Sequence, residues 1–160
     1  MRFFEDIEIG ARRELGAFTF APEDIKRFAA QFDPQPFHLD EEAGRNSLFG
    51  GLAASGWHVA SVCMKLLVAD GQRLAAEAAA RGEQAAVWGP SPGFRELRWI
   101  RPVLAGDTIS YSNEVETKRT SEKRPQWGIL QARNTGINQR NEVVFSFLAT
   151  AFVPRRNPGS

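Results

Sequence analysis

Residues 32–68, FDPQPFHLDEEAGRNSLFGGLAASGWHVASVCMKLLV, decide how the rest of the chain is read, because both histidines and the most apolar run lie within them. The second half comes first. Ser55 is a good N-cap, since its hydroxyl can accept from the free N–H groups of the turn that follows, and an almost wholly apolar segment comes after it. The sequence therefore predicts a helix starting near Ser55. Between residues 56 and 68 the only strongly polar side chains are His58 and Lys65, so the apolar residues cover most of the circumference and the helix is expected to be buried on most sides. It is too short and too interrupted to span a membrane, which takes roughly 20 apolar residues.

In the first half, Pro34 and Pro36 fix their own φ and push Asp33 and Gln35 into extended conformations, which suits a carboxylate held in place. Asp33 and His38 are five positions apart (38 − 33), about 16 Å in a fully extended chain at roughly 3.3 Å per residue. The segment must turn if the two cooperate. Taken as residues alone, Asp33 before proline also fits an Asx-turn, and His38 also fits an imidazole bonded to backbone. His58, three positions into the helix, reads as a packing or capping residue.

Towards the N-terminus, residues 11–20 alternate as a strand ending near Phe20. APEDIKRFAAQF then reads as a short helix with Pro22 in its first turn, Glu23 and Asp24 at the positive end, and Ile25, Phe28 and Ala29 on one face. Residues 40–46 fit another helical turn begun by Asp40 and Glu41. Beyond the central helix, GQRLAAEAAARG is Ala-rich and reads as a continuation or a short appended helix. After Gln84 the character changes. VWGPSPGFRELRWIRPV, AGDTISYSNEVETKRT, QWGILQARNTGI and EVVFSFLATAFV are runs of β-branched and aromatic residues broken by turn signals, with Phe94, Leu97 and Trp99 read as alternating. They predict antiparallel strands, with a turn at residues 138–141 closing the last hairpin. The fold class is α+β, a sheet wrapped around a central buried helix. A sheet of this size leaves an edge and aromatic surface uncovered, so a homodimer or higher homo-oligomer is expected.

Composition narrows the function. The 160 residues are 42% hydrophobic and carry no linker-like stretch, which reads as one domain over residues 1–160. A formal net charge of +1 with interspersed signs disfavours nucleic acid as a partner. Cys63, the single cysteine, reads as a small core hydrophobe. MRFFEDIEIG has acids where a signal peptide needs its apolar run, so a cytoplasmic location without membrane association is expected. Lys118, Arg119, Lys123 and Arg124 form a basic cluster that suits either the phosphates of a ligand or a solvated hairpin tip.

The string DPQPFHLD, from Asp33 to Asp40, followed by FGGLAASG, from Phe49 to Gly56, resembles the signature of the MaoC-like dehydratases and (R)-specific enoyl-CoA hydratases. That family's pattern is D-x-N-P-x-H-x-D and then a Phe-led segment ending in A-H-G. LRWIRPVLAGDTI, residues 97–109, is similar to a strand and Gly-Asp turn found late in the same family, so the resemblance covers nearly all of the chain. Gln35 stands where the family usually has Asn, and Ser55 where it often has His.

The resemblance implies the hotdog fold and hydration or dehydration of an enoyl-CoA thioester. It makes Asp33 and His38 the acid–base pair and the backbone N–H of Gly56 the donor to the thioester oxygen, with glycine there to let the thioester approach closely. Gln35, Phe49 and Ser55 are the implied substrate contacts. Neither a metal nor a redox cofactor is implied; coenzyme A enters as part of the substrate. Two other readings stay open, a hotdog thioesterase and a non-catalytic acyl-thioester-binding subunit.

Overall fold

The computed structural model describes residues 2–156. After a 3-10 turn at Phe4–Asp6, strand β1 (Arg12–Thr19) leads into three helices in close succession, α1 (Pro22–Phe32), α2 (Pro36–Leu39) and α3 (Glu41–Arg45). A long helix, α4 (Gly56–Ala80), then precedes four strands: β2 (Gly93–Trp99), β3 (Thr108–Thr120), β4 (Trp127–Ile137) and β5 (Val143–Pro154). These strands and β1 form one antiparallel sheet in the order β1-β3-β4-β5-β2, so β1 and β2 are its edges.

Local chemistry accounts for most boundaries. Pro22 opens α1, where its missing N–H costs nothing, and Ile25 and Ala29 on the inner face are fully buried. Asp40 caps α3 by accepting from the Ala43 N–H at 2.8 Å. Ser55 caps α4 by accepting from the Trp57 N–H at 3.2 Å, and the Ala-rich stretch continues the same helix rather than starting a new one. Asn141, at φ 65°, closes the β4–β5 hairpin in the left-handed region that Asn tolerates.

The sheet curls so that one face receives α4. Along β4 the buried residues are Gly128, Leu130, Ala132, Asn134 and Gly136, every second position, as a half-covered strand requires. Tyr111, Ile109 and Phe145 pack beneath α4 with Val59, Val62 and Cys63, and the Tyr111 hydroxyl donates to the Val59 carbonyl at 3.1 Å. Burying a ring such as that of Phe145, fully inaccessible here, stabilises by roughly 1.5–3 kcal/mol.

Two expectations change. The alternation read through Phe94, Leu97 and Trp99 is interrupted by a register shift between Arg95 and Arg98, with Glu96 at φ 55°, which is why positions three apart were read as one face. And α4 is not covered all round: the sheet shields one side, while Trp57, Met64 and Val68 are each about half exposed. Among the described residues no helix is long and apolar enough to cross a membrane.

Gly44 holds α3 against the segment leading to Ser55. A Cβ there would lie 2.6 Å from the Gly51 carbonyl oxygen and 2.7 Å from the Leu52 nitrogen, both backbone atoms that cannot swing aside. Gly44→Ala should therefore cost ~1–3 kcal/mol of stability, the range for overpacking, and lower the urea midpoint accordingly, despite the gain in helix propensity. An unchanged or raised midpoint would show that the two segments separate freely.

Candidate active site

The site begins where α1 stops. Asp33 is its C-cap, at φ −155° and ψ 67°, and its N–H still reaches the Ala29 carbonyl at 2.9 Å. Gln35 is extended, as a residue before proline should be. Pro36 does not prolong that extension but sits at the start of the single-turn helix α2, and the turn carries His38 back over Asp33. His38 Nε2 stands 3.4 Å from Asp33 Oδ2. Of the two residues expected to be extended before proline, Gln35 is, whereas Asp33 at ψ 67° is not, and Pro36 starts a helix.

Hydrogen bonds fix both groups. His38 is 5% exposed and its Nδ1 lies 2.7 Å from the Ala53 carbonyl oxygen. A carbonyl only accepts, so Nδ1 carries the proton and Nε2 of the neutral ring is left as an acceptor facing Asp33. Asp33 accepts from Ser55 Oγ on Oδ2 and from Gln35 Nε2 on Oδ1, each at 2.7 Å. Burial pushes the Asp33 pKa up, but the bonds from Ser55 and Gln35, joined by the charge of His38 whenever its ring is protonated, outweigh it and hold the carboxyl below its ordinary value. Asp33 is then ionised at neutral pH. Its Oδ2 and His38 Nε2 are two acceptors set to share one proton-bearing molecule.

The pair opens into a cleft of about 290 Å³ bordered by Gln35, Phe37, Phe49, Gly56, Trp57 and Trp99. The structure thereby gathers Asp33, His38, Gln35, Phe49 and Gly56 around one space. The Phe49 ring lies near-parallel to His38 at 6.1 Å. Ser55 is close by but faces differently: it is 1% exposed, and its hydroxyl is engaged by the Trp57 N–H and by Asp33, so it stands behind the carboxylate rather than on the cleft wall. His58 belongs elsewhere, stacked on Phe28 at 4.6 Å with burial depressing its pKa. Lys118 is withdrawn from the basic cluster, since its Nζ donates to the Phe4 and Ile7 carbonyls.

Gly56 is the first residue of α4, and its N–H has no acceptor among the described residues. Packing alone already requires glycine at this position. A Cβ at position 56 would lie 2.5–2.8 Å from the Trp99 indole, whose Nε1 donates to the Gly56 carbonyl at 2.8 Å. Trp99 and the neighbouring Arg101, also on the cleft wall, are site residues that sequence reasoning missed. The only signal was an aromatic in an edge strand 43 residues away.

A five-stranded antiparallel sheet curled about a helix, with an Asp–His pair at that helix's N-terminus, defines a hotdog-fold protein. The MaoC like domain matches residues 6–131, and the chain belongs to that family. A MaoC-like dehydratase from Rhodospirillum rubrum is similar in structure, with a TM-score of 0.79 at 37% identity over 98% of this chain and 99% of that one. The uncharacterized protein YdeM of Bacillus subtilis is 27% identical over 151 residues, 94% of this chain and 98% of its own length. The mesaconyl-CoA hydratase of Cereibacter sphaeroides is 31% identical over 65 residues, 41% of this chain but 19% of that enzyme. That likeness is to one segment of a much longer protein.

Because Asp33 has a folded pKa below its unfolded value, it contributes stability that is present above the unfolded value and lost as pH falls through the folded one. Ser55→Ala removes one of the donors responsible and should move the Asp33 carboxyl titration, followed by carbon NMR, to higher pH. It should also cost ~1 kcal/mol through the lost cap. An Asp33 titration identical in parent and variant would show that the Ser55 bond does not favour the carboxylate.

Proposed function

We propose that the protein adds water across the 2,3 double bond of an enoyl thioester, or removes water to form it, acting on the coenzyme A form. The observation that carries this reading is the 3.4 Å approach of His38 Nε2 to Asp33 Oδ2 beside the unspent N–H of Gly56. Membership of the MaoC-like family supports it.

Water is a poor nucleophile, and the β-carbon becomes electrophilic only as the thioester carbonyl takes up negative charge. The Gly56 N–H, at the positive end of a 25-residue helix, is the donor for that charge. A water lodged between Asp33 Oδ2 and His38 Nε2 loses a proton to Nε2 as its oxygen bonds to the β-carbon. The Asp33 carboxylate stabilises the imidazolium, and that proton then passes to the α-carbon, which restores both groups. Dehydration runs the same steps in reverse. Coenzyme A enters with the substrate, and the scheme uses neither a metal nor a redox cofactor.

A thioesterase reading calls for a carboxylate on or beside the central helix. The first acid on α4 is Asp70, and Arg13 and Arg73 hold both its oxygens. For a binding-only subunit, the departures at Gln35 and Ser55 are the motive, yet both residues donate to Asp33, which favours the catalytic reading.

The partner surface follows from what is left uncovered. Trp57, Met64 and Val68 form one exposed stripe on α4, and edge strand β2 exposes Phe94 and Trp99. We assign this face to a homodimer. Sedimentation velocity at micromolar concentration should give twice the chain mass, and Trp57→Glu should shift it towards monomer; a monomeric parent would end this assignment.

With a panel of 2-enoyl-CoA thioesters of varied length, the parent should form 3-hydroxyacyl products. Asp33→Asn and His38→Ala should each slow hydration by at least ~10²-fold with the fold kept. Since Trp99 would clash with any side chain at position 56, the oxyanion donor is tested in a Trp99→Ala background, where Gly56→Pro should be ~10²–10³-fold slower than Gly56→Ala. Thioester cleavage without hydration would move the assignment to a thioesterase, and binding without turnover to a binding subunit.

A further inference from the structure

The hydration scheme leaves one charged side chain on the wall of its cleft unused. Arg101 borders that cleft, and of the residues lining it Arg101 alone bears a fixed positive charge. Two contacts on either side set its place. The Trp99 indole donates to the Gly56 carbonyl at 2.8 Å, and the Ala54 N–H donates to the Val103 carbonyl at 2.8 Å, so residues 99–103 run alongside residues 54–56. Arg101 stands midway, opposite the stretch that holds Ser55, the residue whose hydroxyl donates to Asp33.

The backbone is anchored and the guanidinium is unspent. The Arg101 N–H reaches the Val144 carbonyl at 3.4 Å. Its ion-pair partner is Glu142, whose Oε1 stands 3.7 Å from Arg101 Nε, beyond hydrogen-bond distance. Glu142 is itself engaged by Asn138 and Arg140, both on Oε2. A guanidinium presents its N–H donors in a planar fork, and among the described residues that of Arg101 finds no hydrogen-bond acceptor.

Charge then decides what can enter. Asp33 is ionised, so an acyl group with a carboxylate of its own meets a like charge beside the reacting carbons, and a desolvated anion is costly unless it is paired. Arg101 supplies that pairing in the geometry a carboxylate takes best, two parallel N–H···O bonds. A hydrocarbon acyl group makes no use of the fork. We propose that Arg101 binds a carboxylate at the far end of a short acyl group, so that the substrates are monothioesters of short unsaturated dicarboxylic acids, a class that rests on the hydration reading above. The cleft, at about 290 Å³, lies at the small end of ligand sites, which suits a short acyl group. In a butenedioyl monothioester the carboxylate is bonded to the β-carbon, so holding it also fixes the carbon that water attacks. The water oxygen bonds there, its proton goes to the α-carbon through His38, and the carboxylate is unchanged. A coenzyme A phosphate fits less well. Arg101 follows Trp99 by two residues, at most ~7 Å of chain, and Trp99 lies on Gly56, whereas the phosphates are a whole pantetheine arm away from the thioester.

The experiment is titration calorimetry of the intact protein with succinyl-CoA and butyryl-CoA, which match in chain length and cannot be hydrated. Succinyl-CoA should bind ~10–10²-fold tighter, the range for hydrogen bonds to charged groups. Arg101→Gln should abolish that preference, and Arg101→Lys, which keeps the charge without the fork, should retain part of it and serves if Arg101→Gln does not fold. The same acyl groups on N-acetylcysteamine, which has no phosphate, should show the same preference. In turnover, Arg101→Gln should lower the ratio of kcat/KM for fumaryl-CoA to that for crotonyl-CoA by a similar factor. The proposal is overturned if the parent binds neither ligand or does not prefer succinyl-CoA, or if the preference survives Arg101→Gln. It is also overturned if that variant weakens both coenzyme A ligands alike and neither N-acetylcysteamine ligand, which would make Arg101 a phosphate contact. A succinyl-CoA preference without hydration of either enoyl thioester upholds the carboxylate site and removes the hydration reading; hydration of crotonyl-CoA without a carboxylate preference does the reverse.

Discussion

A single hydroxyl joins the two halves of the site. Ser55 Oγ accepts from the Trp57 N–H in the first turn of α4 and donates to a carboxylate 22 residues earlier in the chain. Where the helix begins and where Asp33 points are thereby one constraint. The Ala53 carbonyl, two residues before Ser55, fixes the His38 ring in the same way. The geometry of the Asp33–His38 pair is referenced to residues 53–56 on the rim of the sheet rather than to the short helices that carry the two side chains.

That rim is itself held from the opposite side. The Ala54 N–H reaches the Val103 carbonyl and the Ala105 N–H the Leu52 carbonyl, so the segment before α4 is stitched to the loop between β2 and β3. Trp99, at the end of β2, then lays its indole over Gly56. The helical half and the strand half of the chain meet here, and the missing Cβ of Gly56 is what lets them come so close. The Gly56 N–H is without an acceptor among the described residues for a separate reason, that it opens α4.

Much of this could be read from the sequence, and the exceptions share a cause. Ser55, Pro22 and Asp40 were legible because capping is local chemistry, decided within three residues. The strands of the C-terminal half were legible from their composition. The approach of Asp33 to His38 was legible only as a requirement, because Pro36 is equally at home in an extended chain and at the first position of a helix. Trp99 over Gly56 was out of reach, since a contact across 43 residues leaves no periodic trace. Asn134 is the instructive case: the period-two pattern of β4 places it inward, and a polar residue at an inward position is a signal that the apolar run around it conceals.

The two edges of the sheet are both irregular. β1 shifts register between Glu14 and Gly16, with Gly16 at φ 115°, and β2 shifts between Arg95 and Arg98, with Glu96 at φ 55° and its carboxylate tied to Arg133. A straight edge offers a template that one more strand can always extend, and strand addition at both ends of a sheet leads to filaments. A kink interrupts that template after a few rungs. Open-ended addition of strands is thereby disfavoured at both edges of the sheet. The bulges thereby protect a protein that keeps aromatic side chains at its surface from polymerising through them.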